Sequence, residues 1–236
     1  MKKKVVCIIG TVIIVLFLVA LFLNVPIFKL KKIEVYGNSY LSYFDVINYT
    51  NLFYGENLLK INKKYIKEQL LKNSMIKDAD LKIRFPDTLE ITVKERNVVG
   101  AISYMGAFLI VDDDGVVIKL VNNSENLKIP IVLGIDVNKY EIGKRLEVRD
   151  TNKFDFLLWC LKEMKSNSMV EDINSVNVQN DDKILITTKD NFRIIFVEKE
   201  INFSFLKSVL KDLREKGYKS GELIIGYKDR IVFKAD

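Results

Sequence analysis

Three consecutive aspartates, Asp112-Asp113-Asp114, followed by Gly115, are the residues whose type and spacing first suggest chemistry. They invite a calcium loop. An EF-hand loop needs acidic ligands at alternate positions and a closing glutamate at its twelfth. Counted from Asp112, that twelfth residue is Asn123. A polar hairpin turn in which Gly115 takes positive φ fits the same four residues better. The chain has no histidine at all, which removes Ser-His-Asp triads, Cys-His dyads, His-ligated zinc and His-ligated haem. Its two cysteines, Cys7 and Cys160, lie far apart, one in an apolar run and one on a predicted helix, so they are not expected to staple one fold. Acidic residues are plentiful, and a wall hydrolase using two facing carboxylates stays open on composition alone. Its mark would be a deep pocket holding such a pair with raised pKa. No phosphate-binding glycine loop, nucleophile elbow or metal-ligand spacing occurs. The expectation is a protein without cofactor, metal or catalytic residues.

Charge adds little to that. Of the net +6, three charges sit in Lys2, Lys3 and Lys4, leaving +3 dispersed over the rest. That is too mild to argue for nucleic acid.

The elements that would carry any function begin with an anchor. Val5 to Leu23 is an uncharged 19-residue run. At 1.5 Å per residue it reaches about 28 Å, close to the hydrocarbon thickness of a bilayer. It is longer than a signal-peptide core and ends Leu21-Phe22-Leu23-Asn24-Val25-Pro26, a poor cleavage site. The expected organisation is a short cytoplasmic tail (1–4), a transmembrane helix (5–25) meeting the lipid bilayer, a first domain (29–97) and a β-rich second domain (98–236). Lys29, Lys31 and Lys32 balance the three N-terminal lysines, so the positive-inside count is a tie. Placing the large C-terminal part outside rests on the shortness of the tail and on the resemblance below.

In the first domain, Lys32 to Tyr36 alternates as a strand and Gly37-Asn38 stops it. Ser42 and Asp45 form the pattern of a capping box, with Val46 and Ile47 on the helix's inner face. After the break at Tyr54-Gly55-Glu56-Asn57, a second helix is capped near Asn62 and carries Ile66, Leu70 and Leu71. Leu81, Ile83 and Phe85 alternate, Pro86-Asp87 turns, and Leu89, Ile91 and Val93 alternate back. The order is β-α-α-β-β, two helices over a three-stranded sheet.

From Asn97 the pattern becomes short strands with turns. Phe108–Val111 and Val116–Leu120 read as a hairpin, and Ile131-Val132-Leu133 as a strand. Phe154, Leu157, Leu158, Leu161 and Met164 stripe one helix, with Trp159 off that face. Strands are predicted at 176–178, 184–188 and 192–197. A second helix follows, striped by Phe203, Leu206, Leu210 and Leu213 and capped by Gly217. Two last strands, 222–225 and 230–233, close the chain. The class is α+β, with the second domain read as antiparallel strands and two helices.

The ordered set Val35 with Gly37-Asn38, Gly55 with Asn57-Leu58, Ala79, Pro86 with Leu89, and Val93 with Glu95-Arg96 resembles the POTRA domain of the FtsQ/DivIB cell-division family. The second domain resembles the family too, through Leu109-Ile110-Val111-Asp112 with Gly115, Ile129-Pro130 with Gly134, and Gly143 with Leu146. It departs in having Ser74-Met75 where relatives often have proline, and Leu223-Ile224-Ile225 where they often show an Asp-x-Arg pattern. The resemblance implies a non-enzymatic, bitopic scaffold at the division septum. It implies partners of the FtsB/DivIC and FtsL kind and a role in controlling septal peptidoglycan synthesis. The expected contact is β-augmentation, in which a partner adds a strand to an exposed sheet edge. The best candidate edge is the strand that nothing after it in the sequence would cover, giving Tyr227, Arg230, Ile231, Val232, Phe233 and Lys234 as binding residues. There Ile231 and Phe233 face one way, and Arg230, Val232 and Lys234 the other. A POTRA-bearing component of envelope transport or assembly is the alternative that keeps the module and changes its task.

Overall fold

The computed structural model describes residues 8–17, 26–125, 127–178, 184–196, 202–226 and 230–235. Helix α1 covers residues 8–17 within the apolar run. The rest of the expected span, 5–7 and 18–25, lies outside the described residues. Among the described residues no helix is long and apolar enough to cross a membrane. Two compact units follow one another, divided between Glu95 and Arg96.

The first unit opens with β1 (Lys32–Tyr36). Gly37 ends it at φ +79°, where a Cβ would sit 2.1 Å from the carbonyl oxygen of Val93, so no other residue fits without moving the strand that carries Val93. Ser42 caps α2 (Tyr43–Thr50): its hydroxyl accepts from Asp45 N–H, and the Asp45 carboxylate accepts from Ser42 N–H. Asn62 caps α3 (Lys63–Leu70), accepting from Tyr65 N–H. Strands β2 (Ile76–Arg84) and β3 (Thr88–Glu95) form the hairpin. The sheet order is β1-β3-β2, with β1 parallel and β2 antiparallel to the central β3. Val46, Ile66 and Leu70 from the helices pack with Ile33, Leu81, Leu89, Ile91 and Val93 from the strands as one core. Leu71, grouped with them in the sequence, is instead the C-terminal cap of α3 and exposed. The pair Glu95-Arg96 explains itself here: both Glu95 oxygens receive Tyr40 N–H and one also receives Leu41 N–H, which pins the turn before α2.

In the second unit the strands are β4 (Val98–Tyr104), β5 (Ala107–Asp112), β6 (Val117–Val121), β7 (Ile131–Leu133), β10 (Ile173–Asn177), β11 (Ile184–Thr188), β12 (Phe192–Phe196), β13 (Gly221–Ile225) and β14 (Ile231–Lys234). They form one sheet in the order β14-β13-β12-β11-β10-β7-β4-β5-β6. A separate pair is made by β8 (Val137–Lys139) and β9 (Glu147–Val148).

The expected all-antiparallel second domain is corrected by this topology. The pairs β4–β7, β7–β10 and β12–β13 are parallel. For the last two pairs the reason is the helices: α4 (Thr151–Ser166) lies in the connection between β7 and β10, and α5 (Phe203–Glu215) connects β12 to β13, whereas β7 joins β4 after the β5–β6 hairpin. A strand that returns through a helix re-enters the sheet in the direction it left. The expected apolar stripes are the faces these helices bury: Phe154, Leu157, Leu158, Leu161 and Met164 on α4, and Phe203, Leu206, Leu210 and Leu213 on α5. Strand residues Val176, Ile186, Phe192, Ile194, Phe196, Leu223 and Ile225 belong to the same core.

The aspartate cluster belongs to this architecture. Asp112 is fully buried; it accepts from the N–H groups of Asp114 and Val116 and is paired with Arg96 at 2.7 Å. Gly115 takes φ +77° beneath Phe154 and Leu158. The three carboxylates lie within 4.8 Å of one another, but the buried one is committed to closing the β5–β6 turn. The hairpin reading of the sequence accounts for it.

Candidate partner-binding edge

The two rims of the large sheet differ. At the β6 rim, the segment 143–145 lies alongside: Val116 bridges Arg145, Val117 N–H donates to Lys144 C=O at 2.9 Å, and Gly143 N–H donates to Val117 C=O at 2.7 Å. At the other rim β14 is the terminal strand, and among the described residues no strand pairs with its outer side.

The register fixes what β14 presents there. Ile225 pairs with Ile231, Ile224 with Val232, Leu223 with Phe233 and Glu222 with Lys234, antiparallel. Gly226 N–H donates to Arg230 C=O at 2.9 Å, which sets the phase of the ladder. In an antiparallel pair, residues alternate between turning both backbone groups inward and turning both outward. Arg230, Val232 and Lys234 therefore bond β13, and the N–H and C=O of Ile231 and Phe233 turn away from it. Four main-chain groups are aligned for a further strand.

The side chains alternate in step. Phe233 is half-buried, with its ring 5.0 Å from Tyr218 and 6.4 Å from Phe192. Gly221 permits this approach, since a Cβ there would come within 2.5 Å of the Phe233 ring, and φ at Gly221 is +151°. Ile231 also packs against the core. On the opposite face Val232 is 62% exposed and Ile224 37%. Arg230 and Lys234 flank Val232 on that face, both exposed. Each expected binding residue from Arg230 to Lys234 thus lies on one edge with the alternation read from the sequence. Tyr227 lies outside the described residues.

One feature of the site escaped sequence reasoning. The pairs Leu185–Ile195, Ile195–Ile224 and Ile224–Val232 join end to end across β11, β12, β13 and β14. An apolar row thus runs over the face opposite the helices and finishes at the open edge. The next row is polar: Thr187, Arg193, Glu222 and Lys234, with Arg193 and Glu222 paired at 3.8 Å. Alternation inside each strand was visible beforehand, whereas the row depends on register between strands far apart in sequence.

Behind the edge, the β11–β12 turn is locked to α5. Arg214 holds Asp190 through two hydrogen bonds of 2.7 and 3.0 Å and reaches Asp172 at 3.4 Å. The buried Thr188 hydroxyl donates to Asp190 at 2.6 Å and accepts from Phe192 N–H at 2.9 Å. The Arg214 hydrogen bond, only partly opposed by burial, holds the Asp190 carboxyl below its ordinary range. This clamp fixes β12, on which β13 and then β14 are laid.

Comparison with known proteins bears on both units. Residues 28–96 match the family model described as "POTRA domain, FtsQ-type". The chain is 27% identical over 230 residues to the cell division protein DivIB of Clostridium tetani (strain Massachusetts / E88), covering 94% of this chain and 85% of that one. It is 30% identical over 106 residues to the cell division protein FtsQ of Geobacter sp. (strain M21), covering 45% and 38%. Among solved structures, it aligns with the major extracytoplasmic domain of the trans isomer of DivIB from Geobacillus stearothermophilus. That alignment has a TM-score of 0.33 at 8% identity and covers 53% of this chain and 94% of that one. Residues 28–96 thus match an FtsQ-type POTRA module, and the chain is similar along nearly its whole length to cell-division proteins of the DivIB and FtsQ kind.

Proposed function

We propose that this protein is a bitopic scaffold of the bacterial division machinery. It is anchored through residues 5–25 with both folded units outside the cell membrane, and it acts at the septum by holding other single-pass proteins, not by catalysis. Its partners are FtsB/DivIC-like and FtsL-like chains, gathered so that septal peptidoglycan synthesis is controlled. The observation that carries the reading is the open β14 edge, where Ile231 and Phe233 offer outward backbone groups beside an exposed apolar residue. Strand addition there gains main-chain hydrogen bonds for affinity and alternate side-chain contacts for selectivity.

The edge also describes the partner strand it would take. A residue placed beside Val232 extends the apolar row and should be β-branched or aromatic. Its neighbours two positions either way meet Arg230 and Lys234, so acidic residues suit them. Side chains on the other face continue the layer of Ile231 and Phe233.

The test is the position of an N-terminally fluorescent-tagged copy in growing cells, combined with depletion. A mid-cell band that constricts with the septum, and filamentation on depletion, is the expected result. An even distribution around the envelope with normal division on depletion overturns the reading.

A further inference from the structure

The first unit exposes large apolar side chains at several places, Tyr40 and Phe44 among them, and one group of them sits at the end that also carries exposed lysines. That end is where the chain arrives from the apolar run, and Leu30, buried, is its first core residue. Two loops bracket this point. On one side Leu30 N–H donates to Glu56 C=O and Gly55 N–H to Leu30 C=O, both at 2.8 Å, and Lys29 bridges Asn57. On the other, Lys31 N–H donates to Asp87 C=O at 2.9 Å, and the Phe28 ring meets Phe85 edge-on at 5.8 Å. From these loops Phe53, Tyr54 and Phe85 project, 73%, 61% and 59% exposed, with Ile27 beside them in the chain, also exposed. Lys29, Lys31 and Lys32 are exposed among them. The nearby acids are engaged: Asp87 pairs with Lys31 at 3.5 Å, Glu34 pairs with Lys32, and the Glu56 carboxylate accepts Phe53 N–H at 2.9 Å.

We propose that this end of the unit, carried by Phe53, Tyr54 and Phe85 with Lys29, Lys31 and Lys32, lies in the headgroup layer of an anionic bilayer. The POTRA unit is then seated on the membrane instead of swinging from its anchor. The inference rests on the reading of residues 5–25 as a membrane span. If the span ends at residue 25, Lys29 is four residues later, at most about 14 Å along an extended chain. The headgroup region is itself roughly 5–8 Å deep on each side of the hydrocarbon. A tether that short holds the Leu30 end at the surface whatever the unit does otherwise. Aromatic rings and lysines are the side chains that prefer this layer, the rings for their amphipathic depth and the lysines for anionic lipid. The opposite end serves as an internal control. β1 and β3 run parallel away from the Leu30 end, and Tyr40 sits at their far end against Glu95. Five residues of strand place it roughly 16 Å further from the surface.

The experiment uses the full chain in vesicles of phosphatidylethanolamine and phosphatidylglycerol, some carrying lipids brominated near the headgroup end of the acyl chains. In a Trp159→Phe background, a single tryptophan is introduced by Phe53→Trp, Phe85→Trp or Tyr40→Trp. The two collar positions are on different loops, so a folding defect at one leaves the other. The expected result is blue-shifted emission, most of it lost to the brominated lipids, at positions 53 and 85, with neither effect at position 40. Vesicle-bound protein whose emission at 53 and 85 is unshifted and unquenched overturns the proposal, as does shielding that appears only when a protein partner is added. A chain that fails to float with vesicles at all overturns the anchor reading instead, and the proposal falls with it.

Discussion

Ile231→Pro tests strand addition more selectively than any truncation, because the ladder assigns Ile231 N–H to the outer side of β14. Proline removes that donor and places a ring where a partner's carbonyl would sit, yet deletes no bond to β13. Within the fold the change trims only the half-buried part of one side chain, a cost of about 1–2 kcal/mol. At the interface it removes one hydrogen bond, worth about 1 kcal/mol net, and strands a partner carbonyl at a further 1–2 kcal/mol or so. Together these weaken binding by roughly 30- to 150-fold, at about 1.4 kcal/mol per tenfold. The assay is titration calorimetry against the extracytoplasmic part of an FtsB/DivIC-like protein from the same organism, with urea unfolding of the second unit alongside. Val232→Pro is the contrasting variant: it removes an inward N–H bonded to β13 and should cost the fold about 3 kcal/mol. Wild-type affinity in a folded Ile231→Pro protein would refute strand addition at β14.

Other consequences concern the scaffold that holds this edge. Gly37→Ala should destabilise the first unit severely, since its Cβ meets the Val93 carbonyl oxygen at 2.1 Å; the melting of that unit reads the effect. Asp112→Ala leaves Arg96 without its buried partner and frees two turn N–H groups, a loss of about 3–5 kcal/mol from the second unit in urea unfolding. Asp190 is held by Arg214 below its ordinary pKa, so its contribution to stability is complete above the unfolded carboxylate value of about 4 and disappears as pH falls through the lower folded value. Arg214→Ala should flatten that part of the acid-denaturation curve; an unchanged curve would contradict the clamp. Burial, and then the nearby Glu163 charge, push the Cys160 thiol up to about 12. In a Cys7→Ser background it should resist alkylation at pH 8 until urea unfolds the protein.

Much of this was legible because it is local. The alternation at Lys32–Tyr36, the Ser42–Asp45 capping box, the helix stripes and the Arg230–Lys234 alternation each depend on residues within a few positions of one another. What the sequence concealed is non-local. β4 is buried through Val99, Gly100, Ala101 and Ile102, so no polar face betrays its period, and Gly100 lies directly under Leu161. The parallel pairings follow from which strand each crossover connection returns to, which short apolar runs do not encode. The same holds for the row from Leu185 to Val232 and for the collar around Leu30. Each is assembled from separate segments by strand register or loop contact, and no spacing in the chain announces either.

The central claim is that β14 receives a strand, and hydrogen–deuterium exchange of its amides measures that directly. In the free protein, Ile231 and Phe233 N–H should exchange faster than Val232 and Lys234 N–H, which are bonded to β13. Adding FtsB/DivIC-like and FtsL-like proteins should slow Ile231 and Phe233 selectively. A complex that forms while exchange at these two amides is unchanged, with protection appearing elsewhere, would contradict the account.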